Sequence, residues 1–245
     1  MDQQHLASVR SPGRFAFRAF TIKQDEASWK VGTDSVLLGA WTQLTPSVKT
    51  ILDPGAGTGV LSLLMAQRHP AAKIDAVEKD LLTIRELKHN ISGSDWSDRI
   101  QAVHEDVQVF ATSRRHLYDL IICNPPYFAE GQQSATGSQR TLARQGGDFH
   151  VWHLPKLCDA LLAPAGTLSV VMPASAVSSW IALANAHGYY ASRRLDVSHR
   201  PGLAPSLTLL QMSRALRSPH LESMALYEEG ERSSAYRALC APYLP

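Results

Sequence analysis

The chain has 245 residues, 44% of them hydrophobic and 19% charged, the balance of a soluble globular protein of one or two domains. No apolar run approaches the roughly 18 residues that span a bilayer, and Met1-Asp2-Gln3-Gln4-His5 lacks the hydrophobic core of a signal peptide, so a cytoplasmic location is expected. A net charge of +2 does not by itself call for nucleic acid. Cys123, Cys158 and Cys240 are scattered without a C-x-x-C pair, which points to free thiols and away from a zinc site.

Residues 1 to about 13 are polar, and residues 14–31 read as short strands or a hairpin. Arg10, Arg14, Arg18 and Lys23 interleave here with Phe15, Phe17 and Phe20. Basic and aromatic side chains together suit phosphate contact with base stacking. The same pattern suits a basic strand that packs its Phe face on a core, and strand alternation lets one segment do both. Thr33 or Asp34 can N-cap a helix over about 34–44, with Val36, Leu37, Ala40, Trp41 and Leu44 on one face. Residues 1–45 therefore read as an N-terminal extension and 46–245 as the main domain.

From residue 50 the pattern alternates between apolar strands and amphipathic helices. Strands are predicted at 50–53, 73–78, 100–104, 118–123 and 167–172. The helices fall at about 59–69, 80–92, 107–113, 151–162 and 174–187. Residues 189–197 and 207–213 read as two closing strands with no helix between them, hence an antiparallel edge pair. The expectation is an α/β fold with a seven-stranded, mainly parallel sheet covered on both faces. The C-terminal part from Ser213 is the least readable, with a helix plausible near 233–240. Asp119, ahead of the 118–123 strand's apolar run, reads as structural.

Three signals mark a nucleoside site. Asp53-Pro54-Gly55-Ala56-Gly57-Thr58-Gly59 joins the first of these strands to its helix, where glycines permit a tight turn and free helix N–H groups lie behind them. Glu78 ends the next strand, 21 residues beyond Gly57, placed to hold a ribose diol. Asp106 follows the third strand, where it can accept from an adenine amino group. A dinucleotide and S-adenosylmethionine both satisfy this geometry, but Gly-x-Gly-x-Gly led by an Asp departs from the dinucleotide spacing Gly-x-Gly-x-x-Gly.

The fourth strand ends in Asn124-Pro125-Pro126-Tyr127. Two prolines leave carbonyls with no amide beside them. The Asn124 side-chain oxygen and the Pro125 carbonyl form a paired acceptor, and Tyr127 offers a stacking face. That set holds a planar exocyclic amino group; an ordinary turn is the alternative. The glycine- and glutamine-rich stretch from Phe128 to Phe149 reads as a substrate-side loop, with Arg140 and Arg144 available for phosphate. His150 and His153 lack the carboxylate neighbours of a metal site, and no metal is expected.

The Asp53–Gly59 loop resembles that of class I S-adenosylmethionine-dependent methyltransferases, whose fold is Rossmann-like. The resemblance implies that its opening acid lies near the methionine moiety and that the Asn-Pro-Pro-Tyr tetrad positions an amino nitrogen for methylation. With Lys30-Val31-Gly32-Thr33-Asp34, Ser35 to Trp41 and Asn124 to Phe128, the chain is similar to the bacterial tRNA1(Val) adenine-N6 methyltransferases over nearly its whole length. The family implies S-adenosylmethionine as cofactor and adenosine 37 of the tRNA anticodon loop as substrate. It implies a cofactor site of Lys30, Gly32, Thr33, Asp53, Gly55, Gly57, Glu78, Asp106 and Asn124, with Lys30 to Thr33 closing over the ligand. Asn124, Pro125 and Tyr127 are the catalytic group, and Arg14, Arg18, Arg140 and Arg144 are candidate RNA contacts. Pro54 departs from the branched aliphatic usual at its position. Rival readings are methylation of a release-factor glutamine, whose enzymes normally carry a longer helical N-terminal domain, and of an rRNA guanine N2.

Overall fold

The inner strands Thr50–Pro54 and Tyr118–Cys123 are buried along nearly their whole length, as parallel strands are when crossover helices cover both faces. A computed structural model describes residues 13–27, 30–112, 114–115, 117–126 and 149–245. In chain order the main elements are β1 (Arg14–Ala16), β2 (Thr21–Lys23), α1 (Thr33–Trp41), β3 (Thr50–Pro54), α2 (Val60–Arg68), β4 (Lys73–Glu78), α3 (Leu81–Ser92), β5 (Ile100–His104), α4 (Val107–Thr112) and β6 (Tyr118–Cys123). They continue with α5 (Leu154–Leu161), β7 (Leu162–Pro173), α6 (Val177–Ala186), β8 (Tyr190–Ser198), β9 (Pro205–Ser213), β10 (His220–Ala225), the small hairpin β11 (Tyr227–Glu228) and β12 (Glu231–Arg232), and α7 (Ser234–Cys240).

The central sheet runs β10-β8-β9-β7-β6-β3-β4-β5, and only β9 is antiparallel to its neighbours. Alternate residues of β6 divide between two cores. Leu120 and Ile122 face α1, α2, α3 and α7, whereas Ile121 and Cys123 face α4, α5 and α6. The apolar run 120–123 is thus buried on both sides.

The sheet has eight strands where the sequence predicts seven. β8 and β9 do pair antiparallel, but β10 takes the edge beyond β8 and pairs with it in parallel. Its sequence, His220-Leu221-Glu222-Ser223-Met224-Ala225, is mostly exposed or half-buried, so it carries no continuous apolar signal. Glu222 pins it inward, accepting from Arg193 Nη2 (2.9 Å) and Trp41 Nε1 (3.2 Å).

One further expectation is corrected, and one open alternative is decided for two rings. Helix α1 begins at Thr33, so neither Thr33 nor Asp34 is its cap; Gly32 occupies that position with no side-chain bond. The helix stops at Trp41, short of Leu44. Of the N-terminal phenylalanines, Phe17 and Phe20 take the packing role, and Phe15, partly buried, packs against them. Phe17 and Phe20 are buried and stacked at 4.4 Å, and Phe20 meets Trp96 edge-on. Packing therefore claims the rings that a base-stacking role would need exposed. Phe17, Phe20, Ile22 and the buried α1 residues Val36, Leu37, Leu38, Ala40 and Trp41 share one hydrophobic cluster with α2, α3 and α7.

Polar side chains fix the N-terminal hairpin to the sheet domain. The buried Glu86 of α3 accepts from the backbone N–H of Glu26 and of Ala27, each at 2.9 Å. Asn90, one turn on, accepts from Lys23 N (2.8 Å) and donates to Lys23 O and Thr58 O (both 2.9 Å). At the opposite edge Asp119 accepts from Lys49 N (2.7 Å) and Thr50 N (3.0 Å), the structural role expected of it.

Asn90 joins hairpin, helix and the loop after β3, so Asn90→Ala strands three backbone partners, one buried and two part-buried. At about 1 kcal/mol per bond, the expected loss is about 2–3 kcal/mol, read as a fall of several degrees in the thermal midpoint. An unchanged midpoint would contradict the staple.

Candidate active site

The parallel order β6-β3-β4-β5 brings the carboxyl ends of four strands to one edge. Asn124, Asp53, Glu78 and Asp106 follow or close those strands in that spatial order. Three strand spacings separate the outer pair, about 14 Å, the span of an extended nucleoside with a short side chain. This is the edge on which open parallel sheets bind ligands.

The loop after β3 is shaped by its backbone. Gly55 N and Ala56 N both donate to Val77 O (2.8 and 2.9 Å), which folds the loop over β4. Gly57 and Gly59 have φ of 57° and 91°, a region that L-residues enter only with strain. At Gly59 a Cβ would also meet Leu87 Cδ1 at 2.6 Å, whereas a Cβ at Gly57 would meet nothing within 4 Å. The loop is thus packed tight against α3 at one glycine and open at the other. Gly55 is exposed, with the Phe149 ring on its Cα side. Pro54 sits last in β3. The registered β3–β6 pairs are Ile51↔Leu120 and Leu52↔Ile121, so the ladder to β6 asks no N–H of Pro54. Its carbonyl accepts from Cys123 Sγ (3.2 Å), tying the ends of β3 and β6 together.

Three carboxylates line this edge. Asp53 is buried, and one oxygen accepts from both Ser62 N (3.1 Å) and Ser62 Oγ (2.7 Å) in the first turn of α2. Burial pushes its pKa up to about 7; the Ser62 hydrogen bonds pull the other way, and the Glu78 charge adds to the rise. Ser62 was not singled out from sequence. Its signal was a polar residue inside the apolar run Val60-Leu61-Ser62-Leu63-Leu64. Glu78 is half-buried, its two oxygens accepting from Gly57 N (3.0 Å) and Asp80 N (2.8 Å). That fixes the carboxylate across the mouth of the glycine loop. Asp106 accepts from Gln108 N (2.7 Å) at the start of α4.

Asn124 is brought to the same place by β6. Its Nδ2 donates to Ser35 Oγ (2.8 Å) on the first turns of α1, a partner that sequence reading missed. Pro125 is buried. The Pro126 carbonyl accepts from Val151 N (3.2 Å), so it is not the unpaired acceptor expected of it. Tyr127, Arg140 and Arg144 lie outside the described residues. Beyond them, the His150 and His153 rings stack at 3.8 Å, and His153 lies over Phe149. Among the described residues no cluster of three metal-ligating side chains occurs.

The segment ahead of α1 is held in place by the hairpin. Val31 N donates to Gln24 Oε1 (2.7 Å), and Gln24 N donates to Gly13 O (2.9 Å). Lys30 and Gly32 are exposed beside it, and Thr33 opens the helix. Of the basic residues, Arg14 is exposed on β1. Arg18 Nε is engaged at the C-terminus, donating to Ala241 O (2.8 Å) and Leu244 O (2.7 Å).

Comparison with known proteins agrees with this geometry. The methyltransferase small domain model matches residues 32–175. A tRNA1(Val) (adenine(37)-N6)-methyltransferase of Tolumonas auensis is 41% identical over 90% of this chain and 91% of its own. The chain belongs to the tRNA1(Val) (adenine(37)-N6)-methyltransferase family. A relative of the same name from Flavobacterium psychrophilum is 38% identical over 82% of this chain and 85% of its own. Among solved structures, a predicted O-methyltransferase from Agrobacterium tumefaciens superposes with TM-score 0.66 at 19% identity, covering 86% of this chain and 96% of that one. TYW2 of P. horikoshii, solved in complex with MeSAdo, gives 0.56 at 18%, covering 82% and 71%. At these identities the likeness shows the fold, that of class I methyltransferases. No described helix is long and apolar enough to cross a membrane.

Asp53 makes the site's own pH signature. Its pKa is higher folded (about 7) than unfolded (3.8), so the folded state holds the proton more tightly. The stability this contributes is complete below the unfolded value and is lost as pH rises through the folded one. Asp53→Asn keeps a neutral acceptor for Ser62 and removes the titration. Between pH 5 and 8 the ligand-free wild type should therefore lose thermal stability relative to the variant. Parallel midpoints across that range would contradict a buried, proton-holding Asp53.

Proposed function

We propose that the protein transfers a methyl group from S-adenosylmethionine to the exocyclic N6 of an adenine in tRNA, and that the target is adenosine 37 in the anticodon loop of tRNA1(Val). Family membership supports methylation of tRNA adenine. The observation that carries the reading is an Asn124 amide fixed at the end of β6 beside an edge lined with Asp53, Glu78 and Asp106. That acidic edge fits the cofactor's chemistry: a cationic sulfonium and ammonium are attracted there, whereas a dinucleotide pyrophosphate would be repelled. The open Cα face of Gly57 leaves room for a ligand against the backbone.

Glu78 would hold the ribose hydroxyls, Asp106 the adenine amino group and Asp53 the methionine end, with Gly55 and Gly57 giving close approach. Lys30, Gly32 and Thr33 would close over them. Bound there, S-adenosylmethionine supplies an electrophilic methyl group. The work of the chain is to present a poor nucleophile correctly. An exocyclic adenine nitrogen has its lone pair delocalised into the ring. Asn124 Oδ1 and the Pro125 carbonyl each accept one N–H, which turns the lone pair out of the ring plane and toward the methyl group. Tyr127 stacks on the base. The nitrogen becomes acidic only once methylated, so positioning and electrostatics suffice without a strong base. An adenine in a single-stranded loop reaches the site at less cost than one flipped from a helix. Arg14, Arg140 and Arg144 would meet phosphate; Arg18 can do so only with its remaining guanidinium nitrogens, since its Nε is engaged at the C-terminus.

Incubation with labelled S-adenosylmethionine and tRNA lacking the modification, followed by digestion to nucleosides, should place label in N6-methyladenosine. Label only in N2-methylguanosine or in protein would overturn the reading. Asn124→Ala should lower turnover by at least about a hundredfold, the scale of losing a transition-state hydrogen-bonding group, while cofactor affinity stays within about tenfold. Loss of cofactor binding instead would make the tetrad structural.

A further inference from the structure

The strand order divides the carboxyl edge of the central sheet in two. The ends of β3, β4 and β5 form the proposed cofactor half, and Asn124 follows β6 at its border. With that half filled, RNA around an adenine held at Asn124 lies over the ends of β7, β9, β8 and β10. Register sets the heights there. Cys123 pairs with Val170, so Asn124 stands level with Val171, Leu209 and Leu195. β8 continues three residues past Leu195 to Ser198, a rise of about 10 Å, and the chain re-enters the sheet in β9 at Pro205. The turn 199–204 therefore stands above the site. It lies two to three strand spacings to the side of Asn124, about 10–14 Å.

That turn is fixed by its own chemistry and by its neighbours. Arg200-Pro201-Gly202-Leu203 has the pattern of a type II turn: proline second, Gly202 third with φ of 79°, and Leu203 N donating to Arg200 O (3.2 Å). Ser198 Oγ donates to the same carbonyl (3.0 Å). Just after β10, Leu226 N donates to Ser198 O (2.9 Å) and Tyr227 N to His199 O (3.1 Å). The His199 and Tyr227 rings lie 5.0 Å apart. Every residue from His199 to Ser206 is exposed, Leu203 by 55%. Arg193, Arg194 and Arg214 nearby in sequence are tied to carboxylates. Among the described residues the Arg200 side chain has no ion pair or hydrogen bond.

The elements beside the turn carry no charge or the opposite one. Pro173-Ala174-Ser175-Ala176, at the end of β7, is uncharged. The β11–β12 hairpin exposes Glu228, Glu229 and Glu231. Its cations are engaged: Arg232 lies over the Tyr227 and Tyr236 rings, and Arg237 of α7 pairs with Glu231. A polyanion is attracted at the turn and repelled at the hairpin beyond it. We infer that the 199–204 turn is a tRNA-contacting element, with Arg200 on a backbone phosphate near the target adenine and Leu203 packed against a neighbouring nucleotide. This rests on the reading of tRNA as substrate and of Asn124 as the group that receives the adenine. Phosphate contacts of this kind set the register of the nucleic acid on the protein, and a turn already fixed in shape loses little freedom in making them.

The test compares full-length wild type, Arg200→Gln, Arg200→Lys, Leu203→Ser and Arg217→Gln. Arg217 is exposed between β9 and β10, at the opposite edge of the sheet, so its variant makes the same charge change away from the turn. Affinity for unmodified tRNA is measured over a salt series, with kcat, KM and S-adenosylmethionine affinity alongside. Arg200→Gln should weaken tRNA binding and raise KM by about tenfold, while kcat at saturating tRNA and cofactor affinity stay within about twofold. The slope of log affinity against log salt should become shallower by about one. Arg200→Lys should keep the wild-type slope. Leu203→Ser should weaken binding with the slope unchanged, and Arg217→Gln should bind like wild type. The inference is overturned if Arg200→Gln binds tRNA like wild type or keeps its salt slope. Equal losses in the Arg200 and Arg217 variants would also overturn it, because net charge alone would then explain them. A wild type that binds tRNA through Arg200 but forms no N6-methyladenosine would refute the functional reading alone.

Discussion

Parallel pairing of β6, β3, β4 and β5 is the constraint on which the rest of the molecule depends. Parallel neighbours need a crossover, and the crossovers here are helices that bury both faces of the sheet. With both faces closed, polar chemistry has only the strand ends to occupy. All four strands point the same way, so one edge collects four ends. Asn124, Asp53, Glu78 and Asp106 come from widely separated parts of the chain and meet there because of strand direction alone.

The charge at that edge then limits what can bind. Asp53 is buried close to Glu78, and its ionisation is suppressed by burial more than Ser62 can restore it. With Asp53 largely neutral near its raised pKa, the Glu78 carboxylate is what makes this turn repel an anion such as the pyrophosphate a dinucleotide enzyme binds there. The Glu78 carboxylate accepts from Gly57 N, so it shapes the loop while remaining at its mouth. The same loop is held from behind by Asn90 through the Thr58 carbonyl, and Asn90 also carries the N-terminal hairpin. Hairpin, glycine loop and α3 therefore share one polar joint.

Much of this was legible in the sequence, and the exceptions have physical causes. The strands ending at Asp53, Glu78 and Asn124 carry long apolar runs or a glycine turn, which makes both strand and site visible. β10 escaped because an edge strand with mostly exposed side chains has no hydrophobic period to detect. The phenylalanines near the N-terminus looked equally fit for stacking and for packing, since composition does not reveal which way a ring points; the core claimed them. Ser35 and Ser62 were invisible as site residues for a different reason. Each matters through hydrogen bonding to one partner in another element, Ser35 to Asn124 and Ser62 to Asp53, and a small polar residue on a helix gives no sign of its partner.

The amide at the end of β6 joins the two halves of the proposed function, in which the acidic edge would hold the methyl donor and Asn124 the acceptor. A crystal structure with S-adenosylhomocysteine and an adenosine-containing anticodon stem-loop tests that division most directly. The account predicts ribose hydroxyls on Glu78, the adenine N6 within hydrogen-bond distance of Asn124 Oδ1, and Nδ2 still on Ser35. A target base lying away from Asn124, or a ribose bound elsewhere than at Glu78, would contradict it.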